Sequence, residues 1–90
     1  MEIHLALYDN DSLKAKRSAL KRILHRTRAQ FNVSAAEVED HDFRNRGILG
    51  FVSVGPDKVY LEGLLQKVEA FIDKIGLADI VEARRTFEYF

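Results

Sequence analysis

Apolar and polar residues follow two different periods along the chain. Residues 2–8 alternate between an apolar and a more polar face, which is the period of a β-strand. Other segments repeat their apolar residues every three or four positions, which indicates an amphipathic helix. Both helical segments are free of internal proline. The predicted elements are strand 2–8, helix 13–30, strand 32–39, strand 47–54, helix 58–75 and strand 79–90.

Residues with known capping preferences flank the two predicted helices. Asp11 or Ser12 is expected to cap the start of the first helix, because both side chains accept hydrogen bonds from free backbone amides. Pro56 or Asp57 is expected at the start of the second helix. Gly76 follows the last apolar position of that helix and suits a left-handed cap.

The order βαββαβ predicts an α+β, ferredoxin-like sandwich formed by residues 1–90 as one domain. Such a sandwich has a four-stranded antiparallel sheet with two helices on one face. We expect strands one and three at the centre, parallel to each other, and strands two and four at the edges. The third strand is the most apolar of the four, which favours a central position.

Composition excludes several classes of protein. The 90 residues contain no cysteine, which rules out disulfides, thiolate catalysis and cysteine-ligated zinc. No apolar run approaches the ~20 residues of a membrane span, and the start of the chain lacks a signal-peptide layout. A cytoplasmic protein without membrane contact is therefore expected. The 14 basic and 14 acidic residues cancel, which by itself argues against nucleic-acid binding.

The zero net charge conceals a segregation. Residues 12–36 contain seven basic residues and no acidic one, so this stretch carries +7 and the remainder carries −7. On a helical wheel, five residues fall within an arc of ~80°, and two arginines widen it on one flank. The arc contains Lys14, Arg17, Lys21, His25 and Arg28, and the flanking residues are Arg22 and Arg26.

Two interpretations of this basic arc remain open. Like charges one turn apart repel each other, so a helix selected for stability alone would carry glutamates there. A line of cations fits a polyanion, because each phosphate contact releases condensed counterions. The alternative is an ordinary solvated face whose lysine stems cover the apolar stripe.

Lys16 differs from the other cations, because it falls in the apolar arc of the first helix. We expect its side chain to extend past the helix end into solvent. Burial is the alternative, and it would make Lys16 a candidate functional lysine.

No catalytic or metal-binding constellation is evident. The acidic segment 37–42 contains four carboxylates and His41, but its spacing matches no calcium or zinc pattern, so it is interpreted as a polar edge and loop. The turn at residues 9–12 lacks the glycine-rich, phosphate-cradling loop of acylphosphatases, which share this topology. We therefore expect no enzymatic activity, no metal and no cofactor.

The sheet face without helices is a second candidate surface, and it suits self-association. Carboxylates at its edges would repel phosphate, so the first helix is the better surface for RNA. The residues expected on the open face are His4, Ala6, Tyr8, Glu37, Glu39, Glu82 and Glu88.

Two motifs resemble the YlxP-like family of small bacterial proteins of unknown function. They are Ser-Leu-Lys-Ala-Lys-Arg at residues 12–17 and Phe-Asn-Val-Ser-Ala-Ala-Glu-Val at residues 31–38. The resemblance implies a ferredoxin-like fold and a ribosome-associated or RNA-linked role, and it supplies no catalytic residue. The chain departs from the family pattern at Ala15, often a glutamate, and at Arg44, which replaces an aromatic residue.

The sequence therefore predicts a non-enzymatic protein that binds ribosomal or other RNA through the first helix. Phosphate contacts are assigned to Lys14, Arg17, Lys21 and Arg28, with Arg22 and Arg26 in support and Arg44 and Arg46 as auxiliaries. The alternative is a homodimeric or small-ligand-binding module that uses the open sheet face.

Overall fold

The computed structural model describes residues 1–7, 13–39 and 45–89. Both helices have the bounds that the helical period predicts. The described elements are β1 (Glu2–Leu7), α1 (Leu13–Gln30), β2 (Ser34–Glu39), β3 (Arg46–Val52), α2 (Lys58–Ile75) and β4 (Ala78–Arg84). Neither described helix has the length and apolar character needed to cross a membrane.

The four strands form one antiparallel sheet in the order β2-β3-β1-β4, which confirms the ferredoxin-like α+β arrangement. The expectation that the two central strands of the sheet are parallel was wrong. The central strands β1 and β3 are antiparallel, with Ile3 opposite Leu49. Each helical crossover returns the chain parallel but two positions away, so β2 is the strand parallel to β1, and its hairpin partner β3 lies between them.

The core lies between one face of the sheet and both helices. It contains Ile3, Leu5 and Leu7 from β1, Leu49 and Phe51 from β3, and apolar residues of both helices. Gly47 allows α1 to approach the sheet closely, because a Cβ at this position would lie 3.1 Å from Leu20 Cδ1. Just after the C-terminal end of α1, the rings of Phe31 and Phe71 meet edge to face with centroids 5.4 Å apart.

The ends of α2 follow the sequence-based expectation. Asp57 is the N-cap, and its side chain accepts a hydrogen bond from the Tyr60 backbone amide at 2.8 Å. Gly76 ends the helix in the left-handed conformation, with φ of 76°. The proposed caps of α1, Asp11 and Ser12, lie outside the described residues.

The last strand is shorter than predicted. Alternation continues to residue 89, but β4 ends at Arg84, which lies opposite Glu2 at the start of β1. Among the described strands β1 is the only neighbour of β4, so residues 85–89 have no described strand to pair with. Glu88 therefore lies outside the sheet, contrary to its expected place on the open face. Similarly, β3 ends at Val52, which lies opposite the first residue of β2.

The start of the chain is held against β3. The Met1 amino group donates a hydrogen bond to the Phe51 carbonyl at 2.7 Å. Burial lowers the pKa of this amino group below its usual value, because the charged form loses solvation.

Candidate nucleic-acid interface

The orientation of α1 is fixed by its buried side. Leu20, Ile23 and Thr27 are buried against the sheet. The Thr27 hydroxyl donates to the Ile23 carbonyl at 2.7 Å, so this polar group is satisfied inside the core. With this side facing the sheet, the residues around the rest of the helix face solvent.

The cations of α1 outside the buried side are all exposed, as is the histidine among them. We call these seven residues the basic face of α1. Within the described part of the chain, none of them forms an ion pair, and α1 itself contains no acidic residue. The basic face consists of Lys14, Arg17, Lys21, Arg22, His25, Arg26 and Arg28.

Arg28 is the member of the basic face that is tied to the protein. Its Nη2 donates a hydrogen bond to the Ala35 carbonyl of β2. The C-terminal end of the basic face therefore lies beside the β2 edge of the sheet. This contact anchors the guanidinium, whereas no such contact holds the other cations of the basic face within the described part of the chain.

Lys16 is buried, contrary to the expectation that its side chain extends into solvent. It is 1% exposed, and its Nζ lies 3.4 Å from Glu37 Oε2. The cation is accommodated because β2 delivers a carboxylate to the helix-facing side of the sheet. Lys16 is thus separated from the basic face and takes part in the packing of α1 on β2.

Glu37 was expected on the open face of the sheet, and this expectation was wrong. Alternate residues of β2 face the helices, and Ala35, two positions before Glu37, packs against the core. The Glu37 side chain is 18% exposed. The signal was present in the sequence, because Val33, Ala35 and Glu37 share the strand period of two.

The acidic segment 37–42 is only partly described. Glu37 forms an ion pair with Lys16, and Asp40, His41 and Asp42 lie outside the described residues. Residues 1–7, 13–39 and 45–89 contain no group of three histidine or carboxylate side chains that could hold a metal ion.

The open face carries a cluster of one histidine, one arginine and two carboxylates. His4 lies opposite Glu82, with Nε2 3.8 Å from Glu82 Oε2 and 4.0 Å from Glu2 Oε1. Arg84 Nε donates to Glu82 Oε1 at 3.0 Å. Glu82 thus occupies its expected place. Tyr8 and the side chain of Glu39 lie outside the described residues.

Arg46, one of the two auxiliary arginines, is not brought to the basic face. Arg46 lies opposite Ala6, and Ala6 shares the period of His4 on the open face. Arg46 is therefore on the side of the sheet away from α1. Arg44 lies outside the described residues.

Two comparisons connect the chain with known sequences. A family model described as a protein of unknown function, DUF503, matches residues 1–85. The uncharacterized protein YlxP of Bacillus subtilis (strain 168) is 44% identical over 72 residues, which cover 80% of this chain and 78% of that protein. These matches confirm the resemblance carried by the start of α1 and by β2.

Proposed function

Since the chain belongs to the DUF503 family of unknown function, we propose its function from its geometry: it is a cytoplasmic, non-enzymatic protein that binds RNA through the basic face of α1. Ribosomal RNA is the first target to test, because the YlxP-like resemblance implies a link to the ribosome.

The observation that carries this proposal is a row of exposed cations without neutralising carboxylates. From Lys14 to Arg28 the row spans ~21 Å along the helix, given 1.5 Å per residue. Lys14, Arg17 and Lys21 are exposed and form no ion pair within the described residues. Binding phosphate therefore requires no internal salt bridge to break, and each contact releases counterions.

The contacts available on the basic face favour affinity over sequence discrimination. Lysine and arginine on a helix surface meet phosphate oxygens, which are the same for every nucleotide. Double-stranded RNA is recognised mainly by its shape, 2′-hydroxyls and phosphates. We therefore expect preference for a structured RNA rather than for a base sequence.

Binding without catalysis is proposed because the unusual buried lysine has a structural use. Lys16 Nζ lies against Glu37, so the pair helps to offset the cost of burying either charge. A catalytic lysine must instead reach a substrate, and Lys16 is 1% exposed.

The test is a salt titration. Binding of a fluorescein-labelled RNA duplex of ~16 base pairs is measured by fluorescence anisotropy at salt concentrations from about 50 to about 200 mM. About five phosphate contacts predict a slope of log affinity against log salt near −4, or ~10²-fold weaker binding at the higher concentration. Affinity that does not change with salt contradicts the proposal. Co-sedimentation with separated ribosomal subunits then tests whether the target is ribosomal.

Homodimerisation through the open face is a second candidate, favoured by one observation. Val38 and Val52 are 45% and 68% exposed on the β2–β3 half of this face. Val38 lies over Gly50, where an added Cβ would be 3.0 Å from Val38 Cγ1. Two copies could bury these apolar halves against each other. Sedimentation velocity at high protein concentration tests this candidate, and a protein that sediments as a monomer contradicts homodimerisation.

A further inference from the structure

A groove separates α2 from β4 on the side of the molecule away from the basic face. Its volume is about 890 Å³. One wall is α2, and the other is the edge strand with the residue that follows it. The lining residues are Gln66, Glu69, Ala70, Asp73, Ile80, Val81, Glu82, Ala83 and Arg85.

The two edges of the sheet differ in how far they are covered. Along β2, the Arg28 guanidinium occupies the Ala35 carbonyl, which hinders pairing with another chain at that position. Both edge strands have a register shift, between Glu37 and Glu39 in β2 and at Val81 in β4, so the shift does not distinguish the two edges. In the described structure β4 pairs with β1 alone, so its other side is open to an added strand beside the groove.

The groove is acidic. Arg85 is its one basic lining residue, and Arg85 Nη2 binds Glu69 Oε1 at 2.8 Å. Asp73 forms no ion pair within the described residues, and Glu82 is shared by His4 and Arg84. A ligand in the groove therefore meets an uncompensated carboxylate, Asp73 on α2, whereas the Glu82 side chain lies on the open face beside His4.

Small and apolar residues beside Asp73 leave room for side chains. Ala70 is exposed on the α2 wall, and Ile80 and Ala83 are partly exposed on the strand wall. Val81 is 69% exposed at the register shift of β4. An extended segment sends alternate side chains to opposite faces, so one set could rest on these residues while the other remains outside.

We propose that the β4 edge and the α2–β4 groove bind an extended basic segment of a partner protein, which adds to the sheet as a fifth strand. The backbone of the segment pairs with β4, and its lysine or arginine side chains point to the helix side of the sheet, where they meet Asp73. Strand addition gives affinity through main-chain hydrogen bonds and specificity through alternate side chains.

Charge excludes the other occupants. RNA phosphates would be repelled by Asp73, while Glu69 and its partner Arg85 add no net charge. A second copy related by a two-fold axis would bring an identical acidic groove against this one, because such an interface joins a patch to itself. A basic chain in extended conformation satisfies both the charge and the open strand edge.

The probe is a fluorescein-labelled peptide of seven alternating lysine and valine residues, and binding is measured by anisotropy. Asp73→Lys is expected to weaken binding about fivefold or more, since it removes attraction and adds repulsion. Glu62→Lys is the matched control: it makes the same charge change on α2 outside the groove and is expected to stay within about twofold of the unchanged protein. A peptide of equal charge with central prolines is expected to bind at least fivefold more weakly, because proline lacks the amide hydrogen.

Three results would overturn the proposal: no peptide binding at millimolar concentration, equal weakening by Asp73→Lys and Glu62→Lys, or equal binding of the proline peptide. Backbone amide shifts add a direct readout. They are expected in residues 78–84 and not in 34–39, and shifts confined to β2 would also contradict it. Lys21→Glu is expected to leave peptide binding unreduced. The peptide test can therefore succeed or fail independently of RNA binding by α1.

Discussion

The two helices have the same length and lie on the same face of the sheet, but their charges are arranged differently. Each has 18 residues. In α1 there are seven basic residues and no acidic one. In α2 there are three of each sign, and Lys58 and Glu62 form a pair one turn apart with Nζ and Oε1 separated by 3.7 Å. The residues of α2 are Lys58, Glu62, Lys67, Glu69, Asp73 and Lys74.

The ends of the two helices carry similar charges. Each has a lysine and no acidic residue in its first turn, and each has a basic residue in its last turn, Arg28 in α1 and Lys74 in α2, where the negative end of the helix dipole favours a cation. The helices differ between their ends: α2 pairs Lys58 with Glu62 one turn apart, whereas α1 places like charges one turn apart, which repel each other. This difference is the physical reason for proposing that α1 binds RNA.

The largest expected effect concerns the two lysine–glutamate pairs. Lys16→Met is predicted to lower the free energy of unfolding by ~3 kcal/mol, because Glu37 keeps a largely buried charge without its lysine. Lys58→Met breaks an exposed pair and is predicted to cost ~0.3–0.5 kcal/mol. Urea denaturation measures both values.

A double variant keeps this prediction specific. Lys16→Met with Glu37→Leu is predicted to recover most of the loss, since a well-packed apolar pair replaces the ion pair. A loss below ~1 kcal/mol for Lys16→Met alone, about the value of an exposed pair, contradicts a buried ion pair at this position.

Two glycines of α2 test how strongly local backbone preference supports that helix. Gly76→Ala is predicted to destabilise the protein by ~1 kcal/mol, because φ of 76° is strained for alanine. Gly63→Ala is predicted to stabilise it by ~0.5–1 kcal/mol, since this mid-helix site has open space for a Cβ. Thermal unfolding measures both changes: a lower melting temperature for Gly76→Ala and a higher one for Gly63→Ala support the account, and shifts in the same direction contradict it.

The smallest effect concerns the basic face itself. Lys21→Glu is predicted to raise stability by ~0.5 kcal/mol, because repulsion from Arg17 becomes an attraction one turn apart. Lys67→Glu on α2 has no charged residue three or four positions away and is predicted to change stability by less than ~0.3 kcal/mol. Destabilisation by Lys21→Glu, measured by urea denaturation, would mean that the basic face serves the fold.

The helices and the topology follow from local patterns, which is why they could be predicted. The bounds 13–30 and 58–75 depend on a 3.6-residue period and on nearby turn residues. The end of β4 depends instead on where β1 begins, because Arg84 lies opposite Glu2. Alternation within residues 79–90 contains no information about the length of that distant partner.

The candidate surfaces could be predicted only in part. The basic face follows from a helical wheel, because its residues belong to one helix. The burial of Lys16 depends on Glu37, a residue 21 positions later on another element. The α2–β4 groove combines residues 66–73 with residues 80–85, and these meet only once the strand order is known. The sequence pattern therefore does not predict contacts between elements that are distant along the chain.

RNA binding by two charge-matched double variants tests the central claim most directly. Arg17→Glu with Lys21→Glu reverses two cations of α1, and Lys67→Glu with Lys74→Glu makes the same change in net charge on α2. The α1 variant is predicted to bind the RNA duplex at least ~10-fold more weakly with a shallower salt slope, and the α2 variant to stay within about threefold of the unchanged protein. Equal loss in both variants, or no loss in the α1 variant, would contradict an RNA interface on α1.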